Sequence, residues 1–178
     1  MFQRLTAFAV LPLLLVAGEI GTVQNNVYHH NRTGIEFTLP SGWSVGSQKP
    51  SADGAQMVYV KDSVTEAMGA AWFKLQNVDA ANIPAFLDRR LDAKVAQRNN
   101  FQSYRFRPDS VQRTTIGGHP AIGAVADYVS AGQLKVEYIT WIDAPNCRVL
   151  FSVQMPVGQF PAFQPRFDEL IRSVVFPN

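Results

Sequence analysis

Three consecutive apolar stretches, separated by short turn sequences, constrain the fold of this 178-residue chain more than any other feature. The stretches are AIGAVADYV, LKVEYITWI and RVLFSVQM, at residues 121–129, 134–142 and 148–155. Between them lie SAGQ and DAPN, which have the composition of tight turns. In the last stretch Val149, Phe151, Val153 and Met155 occupy alternate positions, the period of a half-buried strand. Because strands joined by short turns pair antiparallel, this half of the chain predicts an antiparallel sheet.

Two segments change to the helical period of apolar residues. In residues 82–100 the apolar positions are Ile83, Phe86, Leu87, Leu91 and Val95. A largely aromatic stripe follows near the end of the chain, at Phe160, Phe163, Phe167, Leu170, Ile171 and Val174. Both spacings are typical of a helix with one buried face. The order of elements predicts an α+β domain, with a central antiparallel sheet of about six strands flanked by two main helices.

The first half of the chain adds further strand patterns. Ile35, Phe37 and Leu39 alternate with polar residues and predict the core face of an early strand. Residues 44–56 are rich in serine, glycine and proline, and they predict a loop. Two more strands are predicted after this loop, at MVYV and AMGAAWFKLQ.

The first 18 residues have the features of a secretory signal peptide. Arg4 precedes an apolar run that ends at Val16, and small residues follow. A membrane anchor is the alternative, but the run is shorter than the ~20 residues that a span requires and is interrupted by Pro12. We therefore expect residues 1–18 to be a signal peptide, residues 19–26 a flexible leader, and residues 27–178 a single domain that is periplasmic or secreted.

The net charge argues against nucleic-acid binding, and the cysteine content excludes an internal disulfide. The formal net charge is +2 at pH 7, whereas a dedicated nucleic-acid binder carries a strong basic excess, so we expect no nucleic-acid partner. Cys147 is the one cysteine and cannot form an internal disulfide. We interpret it as a semi-buried small apolar residue, with pairing to a second chain as the alternative.

Several motifs give the chain a resemblance to a known family. GIEFTLPSGW, at residues 34–43, is similar to the opening of PsbP-like domains: a glycine, an alternating strand, a proline, and a tryptophan after a turn. IGGHPA, ADYVSAG, LKVEYITWI, RVLFSV and FDELIRSVVF then follow that family's order. The chain thus resembles an exported bacterial member of the PsbP-like family, which includes the photosystem II extrinsic protein P and Mog-type proteins. The resemblance implies a central antiparallel sheet flanked by helices, and a binding or assembly role rather than enzymatic activity.

Residue types that carry catalysis or bind metals form no recognisable constellation in the sequence. His29 and His30 are adjacent on a predicted strand, so their side chains point to opposite faces, and we expect them at a solvated strand end. His119, in GGHPA, is expected to face solvent. No serine lies in a Gly-x-Ser-x-Gly elbow, and no glycine-rich phosphate loop occurs. We therefore expect no enzyme and no cofactor, and assign no catalytic, cofactor-binding or metal-binding residue.

The clearest charge feature is a basic segment from Asp88 to Arg113. Its basic residues are Arg89, Arg90, Lys94, Arg98, Arg105, Arg107 and Arg113, against Asp88, Asp92 and Asp109. One interpretation is an ordinary solvated helix face with local ion pairs. The other is a patch that docks an acidic protein partner through Arg89, Arg90 and Arg98, or that contacts an anionic membrane peripherally.

Three hypotheses for function follow from these patterns. The first is an exported, non-catalytic binding or assembly-accessory domain that acts through protein–protein contacts. The second is a carrier of a small apolar ligand in a pocket between sheet and helix, lined by Trp43, Trp72 and Trp141. The third is an enzyme, which titratable groups that converge in a cleft would indicate.

Overall fold

Strands account for most of the regular structure. In the computed structural model, residues 20–98 and 100–177 are described, and they form eleven β-strands and two α-helices. The strands are β1 Gly21–Gln24, β2 Val27–His30, β3 Glu36–Thr38, β4 Trp43–Pro50, β5 Gln56–Asp62, β6 Met68–Leu75, β7 Gln102–Phe106, β8 Gln112–Ile116, β9 His119–Ser130, β10 Gln133–Asp143 and β11 Cys147–Pro156. The helices are α1 Ile83–Gln97 and α2 Phe160–Arg172.

The main sheet is antiparallel, with the order β4-β5-β6-β11-β10-β9-β7, and β8 pairs with the other half of the β9 edge that β7 occupies. Its centre is the predicted meander, in which Ile139 of β10 pairs with Ala124 of β9 and Ser152 of β11. The predicted α+β class with two helices and an antiparallel sheet is confirmed. The prediction of about six strands is wrong, because this sheet has eight and a second sheet has three.

One additional strand comes from the segment that was predicted to be a loop. Residues 43–50 form β4, which pairs with β5, and a bulge lies between Val45 and Gln48. β4 is an edge strand, where glycine, proline and bulges are tolerated because one row of backbone groups needs no partner strand. The predicted loop is correct only for residues 51–55.

The flexible leader predicted at residues 19–26 is wrong for residues 21–24, which form β1. β1 pairs with β2, and β2 pairs with β3, in a separate three-stranded sheet. Asn25 and Asn26 join β1 to β2 with φ values of 52° and 61°. A type I′ hairpin turn requires positive φ at both central residues, and asparagine tolerates it.

The signal peptide predicted at residues 1–18 lies outside the described residues. Neither helix within the described ranges has the length and apolar character needed to cross a membrane.

One face of the main sheet, which we call the α2 face, carries the larger core. α2 and the three-stranded sheet cover it, and strand alternation directs Val149, Phe151 and Val153 toward them. The apolar stripe predicted for the second helix is confirmed, since all six residues are buried: Phe160, Phe163, Phe167, Leu170, Ile171 and Val174. At roughly 1.5–3 kcal/mol per buried side chain, this stripe is a large stabilising contribution.

The opposite face, which we call the α1 face, carries a smaller apolar cluster. Ile83 and Leu87 of α1 pack against a set of residues on β9 and β10, namely Ile122, Ala124, Ile139 and Trp141. Val95, predicted to belong to the apolar stripe of α1, is instead 42% exposed, while Lys94 is only 6% exposed. The cause lies beneath the helix, where the buried carboxylate of Glu137 binds Lys94.

Candidate functional site

A groove of about 290 Å³ lies on the α1 face, between α1 and strands β6, β10 and β11. It forms because α1 packs over β9 and β10 and leaves part of the neighbouring strands uncovered. Its lining includes Asp53, Trp72, Lys74, Arg90, Lys94, Arg98, Trp141, Arg148 and Leu150. The groove therefore combines an aromatic floor with basic walls.

The floor is an apolar row across three adjacent strands. Leu150 of β11 is paired with Trp72 of β6 on one side and with Trp141 of β10 on the other. Residues in register share a face of the sheet, so the two indoles flank one leucine. Trp141 is 5% exposed, and Trp72 is half-buried. We call this set the tryptophan row.

A charged row lies two residues further along the same strands. Arg148 of β11 is paired with Lys74 of β6 and with Asp143 of β10. Because side chains repeat every second residue on one face, this row borders the tryptophan row directly. The register of three strands thus places a line of charges beside a line of aromatic surface.

Glu137 anchors the end of α1 to the sheet. Its fully buried carboxylate accepts hydrogen bonds from Arg98 at 2.8 and 3.1 Å, from Tyr104 at 2.9 Å and from Ser152 at 3.1 Å, and it lies 2.8 Å from Lys94 Nζ. Burial acts to raise the pKa of Glu137, but the Arg98 hydrogen bonds and the Lys94 charge outweigh it and lower the pKa to about 2. Glu137 is therefore ionised and fully committed to structural partners.

Asp143 anchors the middle of α1 in the same way. Arg90 donates two hydrogen bonds to its buried carboxylate, at 3.1 and 3.3 Å, and Gln76 donates a third at 3.0 Å. This bidentate arginine–carboxylate geometry fixes both partners in orientation as well as distance. Together with Glu137, Asp143 holds the basic wall of the groove in place.

Arg148 differs from Lys74 and Asp143, the other two residues of the charged row, in having no hydrogen-bond or ion-pair partner among the described residues. Lys74 binds Asp53 at 2.8 Å and Asp143 is occupied by Arg90, whereas the half-buried guanidinium of Arg148 forms no hydrogen bond or ion pair within residues 20–98 and 100–177. Burial and the charge of Arg90 lower its pKa, against the opposing influence of Asp143 and Asp53. A guanidinium nevertheless stays charged in proteins, so the groove contains an unpaired positive charge.

The fold and this geometry can be compared with known proteins. No protein-family model and no curated protein matches the chain. Among solved structures, PsbP of the cyanobacterium Synechocystis sp. PCC 6803 (CyanoP) matches 90% of this chain and 98% of its own, with a TM-score of 0.56 and 13% identity. The chain has the PsbP-like fold. LpqN of Mycobacterium tuberculosis, which is involved in cell envelope biogenesis, matches over 90% and 87% of the two chains, with a TM-score of 0.53 and 14% identity.

The predicted resemblance to PsbP-like proteins is thereby confirmed for the fold. The structure shows how the basic residues of the predicted basic segment are paired. Arg107 binds Asp127 through two hydrogen bonds, at 2.7 and 3.0 Å, and Arg113 binds Asp88 at 2.6 Å. With Arg90, Lys94 and Arg98 already engaged in the groove wall, most of this segment neutralises acidic residues of the same chain.

Arg89 is the most outward of the three arginines predicted to dock a partner. It is exposed, its guanidinium lies 4.6 Å from the ring centroid of Phe86, and its Nε donates to the Ala85 carbonyl oxygen. Arg90 and Arg98 reach the groove rim but are held by the sheet. Docking of an acidic partner through Arg89, Arg90 and Arg98 stays a prediction.

His30 requires a correction, because it does not lie at a solvated strand end. It is 1% exposed, stacks on Phe73 with ring centroids 4.0 Å apart, and places Nδ1 2.8 Å from Thr33 Oγ1. Burial lowers its pKa to about 4. The strand β2 belongs to the sheet that packs on the α2 face, and this packing buries one of the two adjacent histidines. His29 points the other way and contacts Glu36 at 2.8 Å.

Two other residues considered in the sequence, His119 and Cys147, do not line the groove. His119 is half-buried rather than solvent-facing, and its ring packs against Phe176. Cys147 is buried more fully than the semi-buried position predicted for it, and burial with the nearby Asp143 charge raises its pKa to about 11. Within the described residues, no three His, Cys, Asp or Glu side chains group together as a metal site requires.

Trp43, the third tryptophan named by the ligand-carrier hypothesis, lies on the α2 face. Its ring is 5.5 Å from Phe163 and 6.1 Å from Phe167 between centroids. Only Trp72 and Trp141 therefore contribute to the groove of this PsbP-like fold.

A second cleft, of about 300 Å³, lies on the α2 face between β8, β9, β10 and α2. Its lining includes several side chains with hydroxyl or amide groups, among them Thr114, Thr115, Thr140 and Gln164. Tyr138 donates a short hydrogen bond to Asp168 at its side. This cleft is similar in size to the groove but has neither an aromatic row nor a half-buried unpaired arginine.

Sequence reasoning missed Glu137, Asp143 and Arg148 as site residues. One signal was available, because each is a charged residue within or beside an otherwise apolar strand pattern. A charge in such a position is buried only if it is paired or serves a function. The sequence does not show the strand register, which determines that the two acids have partners and that Arg148 has none in the part of the chain that the structure describes.

Proposed function

We propose that this protein is an extracytoplasmic, non-catalytic accessory domain that binds a small ligand in the groove beside α1. The PsbP-like fold, the signal-peptide pattern at residues 1–18 and the structural likeness to LpqN, a protein of cell envelope biogenesis, support this placement. The observation that carries the proposal is the unpaired guanidinium of Arg148 beside Trp72 and Trp141.

The groove is suited to binding because its walls are preformed. Three ion pairs, Arg90–Asp143, Lys94–Glu137 and Arg98–Glu137, fix one side of α1 to the sheet. A site whose side chains are already ordered loses little conformational entropy when a ligand enters. The groove therefore needs no rearrangement of α1 to accept a ligand.

The same ion pairs argue for a binding role without catalysis. A general acid needs a carboxyl group that is protonated near the working pH. The pKa of Glu137 is instead lowered to about 2, and Asp143 is occupied by Arg90 and Gln76. The acids beside the groove thus serve to fix α1, and Arg148 is left to hold an anionic group.

Contact with an acidic protein partner is a second candidate function. The exposed position of Arg89, next to the rim residues Arg90 and Arg98, favours it. Binding of this kind is steered by charge and weakens as salt increases. Arg89→Glu should abolish such salt-dependent binding, while ligand binding in the groove continues.

Affinity capture with matched variants tests the leading proposal. Immobilised protein is exposed to the exported fraction of its native host, and retained molecules are identified by mass spectrometry. The double variant Trp72→Ala/Arg148→Gln disables the groove, and Gln164→Ala alters the second cleft as a control. We expect a small molecule that wild type and Gln164→Ala retain and that the double variant loses. Equal retention by all three proteins would place the binding site elsewhere.

A further inference from the structure

We infer that the ligand of the groove is a small amphiphilic anion, in which one carboxylate, sulfonate or phosphate group is attached to a flat apolar body. This inference rests on the proposed binding function and specifies the chemistry of its ligand. It follows from the juxtaposition of Arg148 in the charged row with Trp72 and Trp141 in the tryptophan row.

Within the charged row, Arg148 is the residue whose hydrogen-bond donors are available to an anionic group. Lys74 is occupied by Asp53, and the carboxylate of Asp143 by Arg90 and Gln76. A half-buried charge without a partner is unfavourable, so an anion that reaches Arg148 gains an interaction that water supplies only in part. The planar guanidinium offers two parallel N–H donors, which match the oxygen atoms of a carboxylate, sulfonate or phosphate.

The tryptophan row determines the rest of the ligand. Indole faces favour flat apolar groups, which stack on them or meet them edge to face. Because the two rows are adjacent on the sheet, an anion bound at Arg148 would place its attached body over Trp72 and Leu150. A bare inorganic anion would leave this apolar floor exposed, and a neutral apolar ligand would leave Arg148 unpaired.

The volume of the groove limits the size of the ligand. At about 290 Å³, it lies at the lower end of the ~300–1,000 Å³ that small-molecule sites span. A flat body of up to three aromatic rings is compatible with this volume. A diacyl lipid body is too large, so a lipid could enter only in part.

Two fluorescent probes that differ in one charged group test this inference. Anilinonaphthalene sulfonate carries a sulfonate on a flat aromatic body, and phenylnaphthylamine has the same ring systems without it. Both are titrated against wild type, Arg148→Gln, Trp72→Leu and the control Gln164→Ala. Circular dichroism and thermal unfolding establish that each variant is folded.

We expect the sulfonate probe to bind wild type more tightly than the neutral probe. Arg148→Gln should weaken the sulfonate probe about tenfold or more, the effect of losing a charge-assisted hydrogen bond, and leave the neutral probe within about twofold. Trp72→Leu should weaken both probes about threefold to tenfold, the effect of losing an aromatic contact. Gln164→Ala should change neither.

Three outcomes would overturn the inference. If Arg148→Gln leaves the sulfonate probe unaffected while Trp72→Leu weakens both, the groove binds neutral apolar ligands, and the proposed function stands without this ligand class. If inorganic phosphate displaces the sulfonate probe and Trp72→Leu has no effect, the site recognises a bare anion. If neither groove variant affects either probe, the ligand class is wrong, and the capture experiment separately decides whether the groove binds another ligand.

Discussion

The two faces of the main sheet are held together by different proportions of ring packing and ion pairs. On the α2 face, rings pack against rings, with Phe151, Phe163 and Phe167 fully buried, and the buried carboxylate of Asp62 binds Arg166 of α2. On the α1 face, buried ion pairs replace much of this packing, with Glu137 as the centre of the largest group. Packed rings resist water and fill space, whereas ion pairs fix positions and can border an open groove. We therefore attribute stability mainly to the α2 face, and we propose that the α1 face binds the ligand.

The largest expected effect is on the α2 face. Phe167→Ala removes a fully buried ring that contacts Trp43, Phe151 and Phe163. We expect a loss of about 4 kcal/mol in the free energy of unfolding, measured by denaturant titration, because such truncations leave a cavity as well as losing burial. Val95→Ala, at an exposed position of α1, should change it by less than about 0.5 kcal/mol. Similar losses for both variants would break the comparison.

A slightly smaller effect is expected at the ionic centre of the α1 face. Glu137→Gln leaves Lys94 and Arg98 without their acid in a buried site. Removing one partner of a buried ion pair typically costs about 3 kcal/mol. The matched control is Glu66→Gln, which breaks the exposed Lys61–Glu66 pair and should cost less than about 0.5 kcal/mol. If the two substitutions have equal effects in urea titrations, Glu137 does not anchor α1.

The two faces should also lose stability in different pH ranges. The pKa of His30 on the α2 face is lowered from 6.5 to about 4, and that of Glu137 on the α1 face from 4.5 to about 2. In both cases the unfolded chain binds the proton first, so stability falls as pH falls. The loss runs from pH 6.5 to 4 for His30 and from pH 4.5 to 2 for Glu137, and amounts to about 3 kcal/mol each.

Unfolding free energies measured from pH 7 to 2 separate these contributions. His30→Gln should flatten the curve in the upper range only, and Glu137→Gln in the lower range only. A wild-type curve without any slope between pH 6.5 and 4 would mean that His30 is not held neutral in the folded protein.

The smallest effect on stability is expected at the proposed ligand contact. Arg148→Gln removes a half-buried charge that has no partner among the described residues, so we expect no loss, and a gain of up to about 1 kcal/mol. Thermal unfolding measures this directly. A clear destabilisation would show that Arg148 has a structural role and would weaken its assignment to ligand binding.

The sequence predicted the elements whose periodicity is strong. Alternation in β11 and the aromatic stripe of α2 were both confirmed, because each buries one whole face of a regular element. The sequence of β4 predicts a loop because edge strands tolerate glycine and proline. The sequence of β1 predicts a flexible leader because a short exposed strand shows little alternation.

The groove itself could be predicted only in part. The alternative hypothesis of a ligand carrier named three tryptophans as pocket residues, and two of them, Trp72 and Trp141, line the groove. Trp43 lies on the other face, because the sequence does not specify which face of the sheet each strand presents. The placement of Arg148 between Lys74 and Asp143 depends on the pairing of three strands, and a shift of one residue in that register would move it to the other face.

The most direct test of this account uses the three tryptophans of the chain, which give three indole N–H signals in a nitrogen–proton correlation spectrum of isotopically labelled protein. Anilinonaphthalene sulfonate is added stepwise, and single tryptophan substitutions assign the signals. We predict that the signals of Trp72 and Trp141 shift with increasing probe while that of Trp43 stays in place. Shifts confined to Trp43 would contradict it, because they would place binding on the α2 face.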